Sequence, residues 1–353
     1  MIKILHSADW HLDSPLSARD EDLRKSLLEI PGKIADLVHR ENCDLVLLAG
    51  DLFDAVPSRE TVDIVHRALK DMKVPVFISP GNHDYVRADS PWLCHIWPEN
   101  VHVFTQNTMT SLSLPGLNCR IYGGAFAGMD CPALLEGFRA EGTERWHIAV
   151  IHGDPQILNS PYCPITSEQI LESALDYLAL GHIHKTGQLR LEQTLCAWPG
   201  CPMGRGYDET GEKGVYIVTL GDAVELVFRP LDTLRFYDLT AEVRDDPETT
   251  LNSLLPSVGS NDYYRITLTG ECPGVDIPAL TAAFARFPRL VLRDRTAPPV
   301  DLWVNAGEDT MEGVYFRLLQ ESLEEAGEED ARQIRLAAKL SRKLLDGQEV
   351  TLP

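Results

Sequence analysis

The chain has 353 residues, of which 44% are hydrophobic and 24% charged, and at about 150 residues per domain this ordinary globular composition predicts about two domains. Asp and Glu number 53 against 32 Lys and Arg, which gives a formal net charge of −21. This charge argues against a protein that holds nucleic acid by bulk positive charge, although it leaves room for a local basic groove.

Sequence features also bear on where the protein works. The N-terminus reaches an acidic residue, Asp9, too early for a signal peptide. No uninterrupted apolar run approaches the about 18 residues of a membrane span. None of the eight cysteines forms a C-x-x-C pair, which disfavours a zinc ribbon or a thioredoxin-type site. We therefore expect a cytoplasmic protein with free thiols and no membrane partner.

Short apolar runs in the first half of the chain predict buried β-strands, because strands covered on both faces are almost continuously hydrophobic. The runs are Ile2–Leu5, Leu45–Ala49, Val74–Ile78, Ile148–Ile151 and Tyr177–Leu180. Helical spacing of apolar residues predicts a helix over Asp22–His39, with Pro31–Gly32 as a potential break, and a second helix capped by Ser58. This alternation of strand and helix indicates an α/β fold with a buried sheet.

The second half of the chain has shorter, alternating segments. Gly214–Leu220 and Ala223–Phe228 predict a hairpin. Further on, a strand, a helix and a strand are predicted for Tyr263–Thr269, Ile277–Arg286 and Arg289–Leu292. The acidic tail predicts two helices that break near the run 324–330. These segments predict three parts: a large α/β domain over 1–235, a small α+β domain over 236–302 and a helical tail over 303–353.

Each of the five apolar runs leads into polar residues of one chemical type. The motifs are Asp9-Trp10-His11, Gly50-Asp51-Leu52-Phe53-Asp54, Gly81-Asn82-His83-Asp84, His152-Gly153-Asp154 and Gly181-His182-Ile183-His184. Ligands bind at the carboxyl ends of strands in α/β sheets, where the loops converge. We therefore expect one set of side chains to meet there: Asp9, His11, Asp51, Asn82, His152, His182 and His184.

Imidazole nitrogens with carboxylate and amide oxygens, and without thiolates, suit Mn²⁺, Fe²⁺ or Zn²⁺. Seven ligands exceed the needs of one ion but suit two ions that share a bridge, and the short carboxylate of Asp51 is the natural bridge. Two ions about 3.5–4 Å apart can hold a hydroxide and clamp a phosphoryl group for in-line attack. A single such motif more often marks a structural residue, and the other histidines, at 6, 39, 66, 95, 102 and 147, are assigned to that class. The prediction of a metal site therefore depends on all five motifs occurring in order, each directly after a predicted strand.

This ordered series resembles the calcineurin-like metallophosphoesterase superfamily over residues 1 to about 230. Finer motifs resemble the bacterial SbcD and YhaO type DNA repair exonucleases, kin of the Mre-type nucleases. They are Ser7–Asp13, Ala49–Asp54, Leu180–Lys185, Trp198–Pro202, Gly204-Arg205 and Glu209–Gly214. The resemblance implies a metallophosphoesterase β-sandwich flanked by helices, with a small α+β capping domain and C-terminal helices.

The resemblance also implies roles for the residues of the five motifs. One metal would take Asp9, His11, Asp51 and His184, and the other would take Asp51, Asn82, His152 and His182, with Mn²⁺ as the implied ion. His83 would not bind metal but would face the scissile phosphate, while Asp54 would orient its imidazole and raise its pKa. Some archaeal and eukaryotic nucleases carry His at the position of Asp54, so their strand-end chemistry is not carried over.

By this resemblance the protein is an exonuclease that acts on DNA ends in a repair complex. Five arginines of the small domain either contact DNA phosphates or form a solvated face: Arg265, Arg286, Arg289, Arg293 and Arg295. The C-terminal helices either dock on an ATPase of the SMC type or pack on the chain's own core, and a homodimer is also compatible. Two alternatives stay open: a phosphoesterase of a small molecule or nucleotide, which the acidic charge favours, and a metal-bearing scaffold for the ATPase.

Overall fold

The computed structural model describes residues 1–18, 20–54, 56–243, 246–299 and 301–347. It divides the chain into two compact units. The larger comprises Met1–Asp238 and Asn261–Arg265, and the smaller comprises Leu239–Ser260 and Ile266–Pro353. The last six residues of the predicted tail, 348–353, lie outside the described residues.

The larger unit is built from short strands and a few helices. Its strands are β1 (Ile2–Ser7), β2 (Leu45–Leu48), β3 (Val76–Ile78), β4 (Val101–Val103), β5 (Thr110–Leu114), β6 (Cys119–Gly123), β7 (Trp146–His152), β8 (Tyr177–Gly181), β9 (Gly187–Leu191), β10 (Thr194–Trp198), β11 (Gly214–Leu220) and β12 (Val224–Pro230). Its helices are α1 (Glu21–Glu41), α2 (Arg59–Asp71), α3 (Pro91–Cys94) and α4 (Ser167–Glu172), with a 3₁₀ turn at Pro115–Leu117. The predicted hairpin of β11 and β12 is confirmed.

These strands form two six-stranded sheets, in the orders β12-β11-β1-β2-β3-β4 and β5-β6-β7-β8-β10-β9. Buried side chains of both sheets, such as Leu47 and Val150, belong to one apolar cluster, so the sheets pack face to face. The helices α1 and α2 cover the outer face of the first sheet, where they pack on residues such as Val46. The predicted α/β sandwich flanked by helices is thus confirmed, and the five predicted strands divide between the sheets, three in one and two in the other.

The helix α1 is capped at its N-terminus by Asp20, whose side chain accepts a hydrogen bond from the Leu23 N–H. It runs through Pro31 without a break, so the potential break at Pro31–Gly32 is wrong. An interior proline costs about 3 kcal/mol or more. Burial of Ile30 and Ile34 against the sheet, both with 0% exposure, outweighs that cost. The predicted cap of α2 is confirmed, since the Ser58 side chain accepts from the Thr61 N–H.

The remaining elements lie wholly or largely in the smaller unit. They are β13 (Phe236–Val243), β14 (Tyr263–Gly270), β15 (Leu290–Asp294), α5 (Pro247–Leu254), α6 (Ile277–Ala283), α7 (Met311–Glu325) and α8 (Glu328–Leu345). The three strands form a sheet in chain order, and the first residues of β13 and β14 belong to the larger unit. The break between α7 and α8 falls within the predicted segment.

The helices α7 and α8 pack around a small core of their own. Phe316 is fully buried there with Ala306 and Ala338, and the Arg342 guanidinium lies 4.1 Å above the Phe316 ring. Most of the predicted small α+β domain and the predicted tail share one unit in the structure. Within this unit Lys339 of α8 pairs with Glu271. No helix among the described ranges is long and apolar enough to cross a bilayer.

Candidate metal centre

The seven candidate ligands all lie in the larger unit, at or just beyond the carboxyl ends of β1, β2, β3, β7 and β8. The backbone is left-handed at four of them: φ is 55° at Asp9, 48° at His11, 51° at Asp51 and 90° at His182. This conformation is costly for residues other than glycine, and such strain persists only where surrounding structure holds it. Here the Asp9 N–H donates to the Gly50 carbonyl (3.0 Å) and the His11 N–H to the Asp51 carbonyl (2.9 Å). Strain at four ligand positions is typical of a functional site.

A first group of converging ligand atoms comes from Asp9, His11 and His184, all within 4.8 Å of one another. Nδ1 of His11 donates to Oδ1 of Asp54 (3.0 Å), and Nδ1 of His184 donates to Oε1 of Glu209 (2.7 Å). Both Nε2 atoms are therefore left as acceptors, and they lie 3.1 Å apart. Two acceptors repel each other at this distance unless a proton or a metal ion lies between them.

A second group comes from Asp9, Asp51 and His152, again within 4.8 Å. Nδ1 of His152 donates to the Ala49 carbonyl (2.9 Å), so Nε2 faces two oxygens, Oδ1 of Asn82 (3.0 Å) and Oδ2 of Asp51 (3.3 Å). Burial lowers the pKa of His152, but the charges of Asp51 and Asp9, together with hydrogen bonds to Asp51 and the Ala49 carbonyl, raise that pKa to about 9. A divalent cation bound by Asp51, Asn82 and His152 would replace the proton on Nε2 of His152.

Asp51 is a member of the second group and also lies near His11 of the first. Its Oδ2 is 3.3 Å from Nε2 of His152 and 3.8 Å from Nε2 of His11, and its side chain is only 2% exposed. Burial opposes its ionisation, but the neighbouring histidines hold the pKa of Asp51 well below its usual range. A carboxylate that stays charged between two sets of nitrogen ligands fits the bridge of a dinuclear centre.

His182 lies at the edge of this arrangement. Its ring centroid is 5.2 Å from that of His152, and its Nε2 is 3.9 Å from Oδ2 of Asp154. Its backbone N–H donates to Oδ1 of Asp9 (2.9 Å). The structure therefore brings His182 beside the second group, while its imidazole stays outside both groups of converging atoms described above.

His83 and Asp54 form a pair at the rim of the site. Nδ1 of His83 donates to Oδ1 of Asp54 (2.7 Å), and this hydrogen bond raises the pKa of His83 to about 9. The His83 side chain is 43% exposed, whereas that of His11 is 1% exposed. His83 also shares a third group of converging atoms with His11 and Asp51. Its accessible imidazole is thus placed where a substrate can reach it.

Two close approaches around the site require glycine. A Cβ on Gly81 would lie 2.2 Å from Oδ1 of Asp51. Gly50, at φ +86°, would place a Cβ 2.4 Å from Nδ1 of His152. Any side chain at either position would displace a candidate ligand.

Three further residues support the site without having been assigned a role from the sequence. Asp84 accepts backbone N–H groups from Gly81 (2.8 Å) and Leu52 (2.9 Å), and thereby ties two ligand loops together. Burial raises the pKa of Asp84 to about 7. Glu209 contacts His184, and Arg205 contacts Glu209. Arg205 and Glu209 belong to the motifs Gly204-Arg205 and Glu209–Gly214, but these motifs do not indicate which residues the two side chains contact.

The chain is similar to known phosphoesterases. The sequence model of the family "Calcineurin-like phosphoesterase" matches residues 2–186. The metallophosphoesterase YhaO of Bacillus subtilis (strain 168), itself described as uncharacterized, is 33% identical over 302 residues, which cover 77% of this chain and 72% of that protein.

Two solved structures are weakly similar in fold. A dimetal phosphatase from Danio rerio has 13% identity and a TM-score of 0.43 over 65% of this chain and 96% of its own. The protein TT1561 of Thermus thermophilus has 14% identity and a TM-score of 0.40 over 64% of this chain and 98% of its own.

Proposed function

The chain belongs to the calcineurin-like phosphoesterase family, and we propose that it is a two-metal phosphodiesterase that hydrolyses DNA from its ends. The observation that carries the two-metal part is the pair of ligand groups around Asp51, in which imidazole nitrogens face other acceptors. The coarser statement, a metal-dependent phosphoester hydrolase, follows from the family.

The residues fit two divalent ions, with Mn²⁺ proposed as the native one. Asp9, His11, Asp51 and His184 would hold one ion, and Asp51, Asn82, His152 and His182 the other. When bound, the ions supply Lewis-acid activation and neutralise the charge of the phosphoryl group. Asp54 stabilises the imidazolium form of His83, whose Nε2–H is then placed to donate to a phosphate oxygen or to the leaving oxygen.

Two features support DNA as the substrate. The family match ends at residue 186, and the chain continues through the rest of the larger unit into the smaller unit, which carries exposed arginines at 286, 293 and 295. The loop motifs 204–205 and 209–214 resemble those of the SbcD and YhaO type nucleases. Arg265 is less available for phosphate, because its guanidinium pairs with Asp238 and lies 4.2 Å from the Tyr207 ring centre.

The rival function is hydrolysis of a small phosphoester or nucleotide, which the net charge of −21 favours. The test compares end-labelled duplex and single-stranded DNA with bis(p-nitrophenyl) phosphate, each with Mn²⁺ and with chelator. We expect Mn²⁺-dependent loss of nucleotides from DNA ends. Hydrolysis of the chromogenic diester but not of DNA would favour the rival function. Hydrolysis of neither substrate would contradict the proposal that the protein is a phosphodiesterase.

A double substitution tests the role of the second unit in DNA hydrolysis. Arg293→Ala with Arg295→Ala should slow DNA hydrolysis and reduce its sensitivity to salt, but should leave the chromogenic diester unaffected. Arg335→Ala, at an exposed arginine of α8, is the matched control. Equal effects of the control and the double variant would contradict a DNA contact at 293 and 295.

A partner protein is a further part of the proposal. The helices α7 and α8 leave several large apolar side chains exposed: Val314, Leu318, Leu336, Leu344 and Leu345. This exposure supports the binding of an ATPase of the SMC type to these helices. A pull-down of such an ATPase, expressed together with wild type or with a Leu318→Glu variant, tests it.

A further inference from the structure

We propose that Glu209 and Arg205 are positioning residues of the metal centre: Glu209 fixes the ring of His184, and Arg205 links Glu209 to Asp54, which fixes His11 and His83. This inference rests on the proposed two-metal function. It concerns side chains that contact the candidate ligands from behind and are not themselves candidate ligands.

The contact of Glu209 with His184 sets the tautomer of the ligand. Oε1 of Glu209 accepts the hydrogen bond of Nδ1–H at 2.7 Å, and the Glu209 side chain is only 7% exposed. With its hydrogen on Nδ1, the ring presents Nε2 to His11 as an acceptor. A charged acceptor behind a ligand histidine also makes that ligand more basic, and such partners commonly change metal affinity by about 10–100-fold.

Arg205 holds Glu209 in this position from the other side. Its backbone N–H and its Nε donate to Oε2 of Glu209, at 2.8 and 3.2 Å, and its terminal NH₂ donates to Oε1. The loop packs tightly here, since a Cβ on Gly204 would lie 2.5 Å from the Glu209 carbonyl oxygen. Neither charge has access to much solvent, because both side chains are 7% exposed.

The same guanidinium reaches the second carboxylate of the site. A terminal nitrogen of Arg205 lies 3.7 Å from Oδ2 of Asp54. Oδ1 of Asp54 accepts from both His11 (3.0 Å) and His83 (2.7 Å). One guanidinium therefore joins the two carboxylates that orient His184, His11 and His83.

A positioning role accounts for this network better than fold stability does. A buried ion pair is weak evidence of stabilisation, because desolvation offsets most of the attraction between the charges. In this network the carboxylates of Asp54 and Glu209 accept hydrogen bonds from imidazoles of the candidate site. These hydrogen bonds orient His11 and His184 so that their Nε2 atoms lie 3.1 Å apart. The arrangement is what preorganising the donors for a cation requires.

The test measures binding of Mn²⁺ alone, by calorimetry and by the Mn²⁺ EPR spectrum, together with the melting temperature of the metal-free chain. Glu209→Gln keeps the shape of the side chain but removes its negative charge. Arg205→Lys keeps the positive charge but removes the planar guanidinium that donates to both oxygens of Glu209. Glu212→Gln is the matched control, since Glu212 is in the same loop, is 60% exposed and pairs with Arg235 at 3.4 Å.

We expect Glu209→Gln to weaken one of two Mn²⁺ sites by about 10–100-fold and to change its EPR spectrum, while the other site stays intact. The metal-free chain should still fold but melt at a lower temperature, because Arg205 loses its buried partner. Arg205→Ala should weaken the same site, and Arg205→Lys should restore part of that loss. Unchanged Mn²⁺ affinity with a lowered melting temperature would make the pair merely structural and overturn the inference. An equal loss in Glu212→Gln would also overturn it, whereas failure of the wild type to bind Mn²⁺ would instead contradict the proposed function.

Discussion

Nε2 of His11 and Nε2 of His184 lie 3.1 Å apart, although His11 follows β1 and His184 follows β8, strands of different sheets. Each imidazole is oriented from behind by a carboxylate, Asp54 or Glu209. The fold thus brings two acceptors together from distant parts of the chain. A cation held by both Nε2 atoms would explain why the carboxylates orient the two rings toward the same point.

Asp51→Asn should remove the bridge between the two ligand groups. The Asp51 carboxylate is buried between His11 and His152, and its charge is what offsets the repulsion of two cations. We expect fewer than two Mn²⁺ per chain by elemental analysis and a fall in diester turnover of at least about 10²-fold. Asp36→Asn, at an exposed position of α1, is the control. Full turnover with normal metal content would contradict the bridging role.

His83→Ala should separate catalysis from metal binding. The exposed imidazole is held through Nδ1 by Asp54, so its loss should leave the ligands in place. We expect nearly two Mn²⁺ per chain and turnover lowered by about 10²-fold or more, the usual scale for a general acid. The exposed His39 of α1 offers the control, His39→Ala. Because His83 also lies near His11 and Asp51, loss of one ion would instead assign it to the ligands.

Gly81→Ala should damage the site through a single methyl group. The new Cβ would lie 2.2 Å from Oδ1 of Asp51, so the carboxylate must move. Displacement by about 1 Å can cost about 10²-fold in rate, and overpacking of this kind costs about 1–3 kcal/mol of stability. Gly116→Ala is the control, since its Cβ would meet no atom within 4 Å. Wild-type Mn²⁺ affinity in Gly81→Ala, measured by calorimetry, would show that Asp51 need not lie where the structure has it.

Truncation after Pro299 should remove α7 and α8 without loss of the catalytic site. All seven candidate ligands precede residue 185, and the core around Phe316 is formed by residues after 301. We expect unchanged turnover of a small diester and an unchanged melting transition of the larger unit. Lys339→Ala, which removes the ion pair with Glu271 and should cost about 0–1 kcal/mol, is the control in the full chain. Aggregation or loss of turnover on truncation would show that the tail is structural.

The sequence was most informative where polar residues directly follow a buried strand. Apolar runs before Asp9, Asp51 and His152 predicted both the strands and the convergence of their loops. The division of these strands between two sheets was not predictable, because strands covered on both faces look alike in sequence whichever sheet they join.

The contacts that Arg205 and Asp54 make around the candidate site could not be predicted from the sequence for a different reason. Arg205 meets Glu209 within one loop, but its approach to Asp54, about 150 residues earlier in the chain, depends on the tertiary fold. The double use of Asp54 by His11 and His83 is likewise a tertiary contact, of which only the His83 half was expected. Pro31 shows the same limit, since burial of its neighbours keeps α1 continuous.

Anomalous scattering from crystals grown with Mn²⁺ tests the two-metal centre most directly. The account predicts two manganese peaks that share Asp51, one beside Nε2 of both His11 and His184 and the other beside Nε2 of His152. Omission of Mn²⁺ in the presence of chelator should abolish both peaks. A single peak, or peaks away from Asp51, would contradict the account.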